Sequence, residues 1–210
     1  STGNHIKKTA EYVEAIALQL KAEGKFKDVL TDAYIEKLKR AAPLHDIGKI
    51  AVSDLILNKP GKLTDEEFSI MKSHTTEGWK ILTKMVEDAG DTIDADYMVE
   101  SIDMAHYHHE KWDGSGYPTH IKGEEIPLSA RIMAVADVFD ALVAERVYKK
   151  PFTYEKAMAI ITEGAGKHFD PDIVETFTHI SERLYGARTK LQPSPEEVIA
   201  GDSATEQPKS

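Results

Sequence analysis

"PLSARIMAVADVFDALVAE", residues 127–145, decides the fold. Leu128, Ile132, Val135, Phe139, Leu142 and Val143 recur every three or four positions, which lines one face of an α-helix, and Pro127 stands where a helix begins. The same period returns elsewhere. Ile6, Ala10, Val13, Ile16, Ala17 and Leu20 form one further apolar stripe, and Ile35, Leu38, Ala41 and Ala42 another. Thr64 followed by Glu67 reads as a capping box for a short helix after the turn in "NKPGKLT" (58–64), and Asp170 before Pro171 starts a helix near the end of the chain. No segment of alternating β-branched residues competes with these stripes, so the expected class is all-α.

The chain has 210 residues, enough for one domain with its own core and a tail. We expect that domain over residues 1–185. From 186 to 210 the composition turns polar and proline-rich, ending "ARTKLQPSPEEVIAGDSATEQPKS". This tail reads as largely disordered, with one short helix start at Ser194, Pro195 and Glu197. Hydrophobic residues make up 41% and charged residues 30%, as in a water-soluble domain, and no apolar run reaches the ~18 residues of a membrane span. Cysteine is absent, which excludes disulfides and thiolate metal sites and fits a reducing cytoplasm. A formal charge of −10 opposes binding to polymeric nucleic acid, which needs a basic surface, but leaves room for a small phosphorylated ligand.

Chemistry concentrates in the histidines. His45 and Asp46 are adjacent in "APLHDIGK" (42–49), His108 and His109 open "HHEKWDGSGYP" (108–118), and His74 lies in "MKSHTTEGW" (71–79). His5 precedes the first apolar stripe, and Asp137 sits in the helix read from 127–145. Imidazole and carboxylate are what first-row divalent metals take when sulfur is missing, so iron, manganese, zinc, nickel and cobalt all suit. Helix neighbours point about 100° apart, so adjacent ligands fit either two ions side by side or a helix end. A carboxylate such as Asp46 can bridge two ions. Two ions about 3.5 to 4 Å apart activate a shared water and clamp a phosphoryl group, which is hydrolytic chemistry.

The remaining histidines, His106, His120, His168 and His179, read as surface or satisfied core residues. Trp112 reads as a packing residue, and the glycines of "DGSGYP" (113–118) also suit an ordinary turn in the long loop 112–127.

Five stretches in order, "LHDIGKI" (44–50), "NKPGKLTDEEFSIMKSHTTEGWKIL" (58–82), "HHEKWDGSGYP" (108–118), "IPLSARIMAVADVFDAL" (126–142) and "RVYKKPF" (146–152), resemble the HD-GYP family. That family is a subgroup of HD-superfamily metal-dependent phosphohydrolases that cleave the bacterial second messenger cyclic di-GMP, and the likeness covers roughly residues 1–180. It implies an HD-type helical bundle with a long GYP loop. It also implies that His45, Asp46, His74, His108, His109 and Asp137 ligate metal, with Asp46 bridging, and that His5 matches a histidine of the first helix. Lys49 matches a lysine that meets a substrate phosphate, and Arg146 and Lys149 match the basic pair on the dinucleotide's phosphates. Asp140 matches the second acid of "DVFDAL", and Tyr117 lies where it can flank a guanine. Ser1 stands where similar members carry a glutamate that helps hold a third metal, so two ions are expected.

The resemblance therefore implies a cytoplasmic, binuclear phosphodiesterase, with iron or manganese foremost, that opens cyclic di-GMP to pGpG and can carry it on to GMP. Cyclic GMP-AMP is the alternative substrate. The competing class is a signalling module that uses the "DGSGYP" loop to engage a diguanylate cyclase (GGDEF) domain with little turnover. An upstream receiver domain is a further expectation from the resemblance, and a homodimer is a partner that the sequence leaves open.

Overall fold

The computed structural model describes residues 2–146 and 149–190. Among the described residues nine α-helices follow in order: α1 (Thr2–Ala22), α2 (Asp32–Ala41), α3 (Asp54–Leu57), α4 (Asp65–Lys72), α5 (His74–Ala89), α6 (Ala95–Tyr107), α7 (Leu128–Val143), α8 (Tyr154–Glu163) and α9 (Pro171–Lys190). Among the described residues there is no strand beyond two isolated bridges, so the fold is all-α.

The stripes read from sequence are the faces that pack. α7 runs through the centre: Ile132, Met133, Val135 and Phe139 are fully buried, and Phe139 meets Tyr12 of α1 and Phe177 of α9 edge-on, at 5.3 and 5.0 Å between ring centroids. α1 packs on α2, α7 and α9 and contributes Val13, Ile16, Ala17 and Leu20. Each fully buried aliphatic or Phe side chain contributes about 1.5–3 kcal/mol relative to exposure. A second, smaller core of Leu82, Met98 and Ala105 joins α5 to α6.

Helix starts are set by side-chain caps. Thr31 and Thr153 accept backbone N–H bonds from Tyr34 and Lys156. At α4 the expected capping box is present: Thr64 Oγ1 accepts from the Glu67 amide at 3.2 Å, and Glu67 Oε1 accepts from the Thr64 amide at 2.9 Å. Asp170 caps the start of α9 through the Asp172 amide, with its other oxygen on Arg131 at 2.7 Å.

α9 differs from expectation at its far end. Its helix continues to Lys190, past the domain limit placed at 185, because Arg188 is buried against the bundle instead of lying in a solvated tail. Residues 191–210, with the short helix start at Ser194, Pro195 and Glu197, lie outside the described residues, as do Ser1, Val147 and Tyr148. No described helix is long and apolar enough to cross a membrane.

Candidate metal centre

Seven side chains from five regions meet at one end of the bundle. His5 comes from the first turns of α1, His45 and Asp46 from the tight turns after α2, His74 from the start of α5, His108 and His109 from the end of α6, and Asp137 from α7. They fall into two groups whose donor atoms lie within 4.8 Å of one another: Asp46, His74, His108 and His109 in one, His5, His45, Asp46 and Asp137 in the other. Asp46 belongs to both. Its Oδ1 is 3.4 Å from His74 Nε2 and 3.3 Å from His108 Nε2, while its Oδ2 is 3.2 Å from His45 Nε2 and 3.1 Å from Lys49 Nζ.

Local structure aims these atoms. The Nδ1 of His45, His74 and His108 bonds to a backbone carbonyl three or four residues earlier, Ala42, Met71 and Met104, at 2.6, 2.6 and 2.7 Å. Because a carbonyl only accepts, each Nδ1 carries a proton, which leaves Nε2 as the ring atom aimed at the centre. Both adjacent pairs stand at helix ends: Asp46 leaves helical geometry with φ −103° and ψ 15°, and His108 is the C-terminal cap of α6. Of the two arrangements open to adjacent ligands, the structure has the helix end, since His45 and Asp46 converge in one group and His108 and His109 in the other.

Two glycines permit the close approaches. A Cβ on Gly48 would lie 1.8 Å from the His74 carbonyl oxygen, so only glycine lets the Asp46 turn press against α5. A Cβ on Gly116 would lie 2.4 Å from the Lys111 amide nitrogen, so the GYP loop can fold back over residues 109–111. The loop is tied down: the Trp112 and Asp113 amides donate to the carbonyls of His168 and Lys167 at 3.1 and 2.9 Å, and Thr119 donates twice to buried Glu110. Tyr117 is thereby stacked on His109, centroids 4.9 Å apart and planes 15° apart.

Electrostatics favour cations here. Burial pushes the Asp46 carboxyl up, but the charge of His45 and the crowding rings of His108 and His74 hold it well below the usual carboxylate range. Asp137 behaves alike, raised by burial and lowered further by His45 and His5. In turn burial works to lower His45, yet Asp46 and Asp137 hold it up to about 10, and contacts with Asp137 and Asp140 push His5 up to about 9. Burial, and after it the neighbouring His108, drive His109 well below the usual imidazole range, the direction that favours binding a metal ion.

The donor set fits divalent metal. Asp46 Oδ1 and the Nε2 atoms of His45, His74 and His108 are buried without a hydrogen-bond partner, a costly state unless something else satisfies them. The spacings of 3.4 and 3.3 Å from Asp46 Oδ1 to His74 and His108 Nε2, and of 3.2 Å from Asp46 Oδ2 to His45 Nε2, are what two ligands adopt when each lies about 2.1 Å from a shared ion, which at a tetrahedral angle gives ~3.4 Å.

The other named residues lie outside the two donor groups. Lys49 is paired with Asp46, and its side chain is 43% exposed, so its ammonium also reaches solvent. Arg146 and Lys149 form an isolated antiparallel bridge after α7, joined by backbone bonds of 3.4 and 3.3 Å, with exposed side chains. His106 stacks on Trp79, His168 on Phe169, and His179 pairs with Glu23, all apart from the two donor groups, as is His120. Sequence reasoning left Asp140 without a role and missed Arg188. Asp140 is buried between His5 Nδ1 and Arg188 Nη1.

Comparison with known proteins agrees with this fold. A cyclic di-GMP phosphodiesterase of Vibrio cholerae serotype O1 is 50% identical over 183 residues, 87% of this chain and 37% of that protein. A 3'3'-cGAMP-specific phosphodiesterase 2 of the same organism is 40% identical over 190 residues, 90% of this chain and 33% of that protein. The chain thus spans little more than a third of the curated relatives it matches. A solved HDG"Y"P protein from Bdellovibrio bacteriovorus superposes with a TM-score of 0.58 at 22% identity, over 85% of this chain and 52% of that one, and shares the fold. The profile described as HD domain matches residues 2–173, and this chain belongs to that family.

Proposed function

We propose that this chain is a phosphodiesterase of the HD-GYP type that hydrolyses cyclic di-GMP to pGpG, and pGpG on to GMP, at a centre of two divalent transition-metal ions. The observation that carries the reading is Asp46: its two oxygens face two separate sets of donors, several of them buried without other partners. In this reading His74, His108 and His109 complete one ion's site and His5, His45 and Asp137 the other's, with iron or manganese preferred and zinc, nickel or cobalt compatible. When bound, such ions supply Lewis acidity to a phosphodiester and make water nucleophilic near neutral pH.

The chain's own residues then bind and orient. Lys49, held 3.1 Å from Asp46 yet open to solvent, can offer its ammonium to a phosphate oxygen beside the centre. Arg146 and Lys149 supply two exposed cations for the remaining phosphate charge. Tyr117 keeps His109 in place by stacking and presents its ring to a base. Burial pushes its phenol up, so it stays protonated and serves as an uncharged surface. No side-chain nucleophile is required.

The proposed phosphohydrolase unit extends through α9 rather than stopping at 185, because Arg188 is buried. A cytoplasmic setting, an upstream receiver domain, a diguanylate cyclase partner for the loop 112–127 and a homodimer complete the proposal. The test is hydrolysis by protein purified without oxygen and loaded with Mn²⁺ or Fe²⁺, given cyclic di-GMP and 3'3'-cGAMP in competition. Faster consumption of cyclic di-GMP, with pGpG and then GMP appearing, is expected. A folded, fully metallated sample without turnover overturns the reading, and preference for 3'3'-cGAMP overturns the choice of substrate.

A further inference from the structure

We propose that Arg188, in the last turn of α9, is a positioning residue for the second ion's site: it clamps Asp140, and Asp140 in turn holds His5. The inference rests on the reading that His5, His45, Asp46 and Asp137 hold an ion.

Three of the centre's histidines are oriented by carbonyls of their own backbone neighbourhood, as described for His45, His74 and His108. His5 is different. It lies in the opening turns of α1, and its Nδ1 is bonded to the carboxylate of Asp140, 135 residues away. Asp137 and Asp140 are three apart on α7 and so share a face, which lets one helix grip both edges of the ring: Asp137 Oδ1 lies 3.5 Å from His5 Nε2, and Asp140 Oδ2 engages Nδ1. The aim of His5 Nε2 therefore depends on where the Asp140 carboxylate is held.

That carboxylate is only 1% exposed, and its second oxygen accepts from Arg188 Nη1 at 3.1 Å. Arg188 is itself 7% exposed, and the same Nη1 donates to Tyr12 Oη at 3.4 Å. Tyr12 belongs to α1, the helix of His5, so the guanidinium ties α9, α7 and α1 together behind the centre. A buried arginine is retained only when paired, and here one guanidinium nitrogen engages both the Asp140 carboxylate and the Tyr12 hydroxyl. Arg188 lies beyond residue 173, where the HD domain match ends, so this support comes from a part of the chain outside the matched region.

The experiment is a Mn²⁺ binding isotherm under nitrogen on metal-stripped protein, with metal content per chain measured in parallel and a thermal melt to confirm folding. The natural sequence is expected to show two binding events. Arg188→Ala should retain one and weaken the other by about 10–100-fold, the usual effect of removing a group that supports a ligand. Arg188→Lys, which keeps the buried charge but not the guanidinium, should fall between them and is read in the same way if the alanine variant does not fold. Natural two-ion uptake with both variants unchanged overturns this inference alone. Fewer than two ions in the natural protein overturns the binuclear reading and this inference with it.

Discussion

Gly48 sits so close to His74 that a Cβ would lie 1.8 Å from the His74 carbonyl oxygen and 2.5 Å from the Gly78 amide nitrogen. The contact seats the turn bearing Asp46 against the helix bearing His74. Gly48→Ala must push the two apart, and a backbone atom cannot yield as a side-chain tip does. We expect a loss of about 1–3 kcal/mol or more in stability and activity reduced on the order of a hundredfold, read from a thermal melt and initial rates at saturating metal. An unchanged variant contradicts the role given to this contact.

Tyr117 acts on the centre through His109, on which it stacks. Replacing it by Phe keeps the ring, whereas Ala removes it, so Tyr117→Phe should stay within a few-fold of natural activity. Tyr117→Ala should lose activity by about tenfold or more through a mobile His109 and a missing base surface. Equal losses in the two variants place the function in the hydroxyl instead.

His168 gives the protein a measurable pH response away from the metal centre. Burial, helped by the charge of Lys111, lowers its imidazole to about 4. The unfolded chain, with an ordinary pKa near 6.5, then binds more protons than the folded one between those values. This contribution is fully present above about pH 6.5 and is lost as pH falls toward 4. It amounts to at most about 3 kcal/mol. His168→Gln should flatten the acid limb of stability against pH in urea titrations, and an identical slope rules the assignment out.

Much of this was legible in the sequence, for physical reasons. The stripe Leu128, Ile132, Val135 and Phe139 sits at helical period, so its burial follows from pattern alone, and the Thr64–Glu67 box is a contact three residues long. His45, Asp46, His74, His108 and His109 announce themselves by residue type. The sharing of Asp46 by two groups does not, since it depends on Gly48 letting two distant segments touch. Adjacent ligands at a helix end and adjacent ligands on two ions look alike until the backbone of Asp46 and His108 is seen to leave the helix. Arg188 was hidden by composition: it lies among polar residues that read as a tail, and only the reach of α9 back to Asp140 brings it indoors.

Occupancy of the centre tests the account most directly. Elemental analysis of protein purified anaerobically and equilibrated with Mn²⁺ should give two ions per chain, with an electron paramagnetic resonance signal of a coupled pair. In Asp46→Ala that coupled signal should vanish while the helical circular dichroism persists. A single ion per folded chain, or a coupled pair that survives loss of Asp46, contradicts the claim that this carboxylate joins two sites.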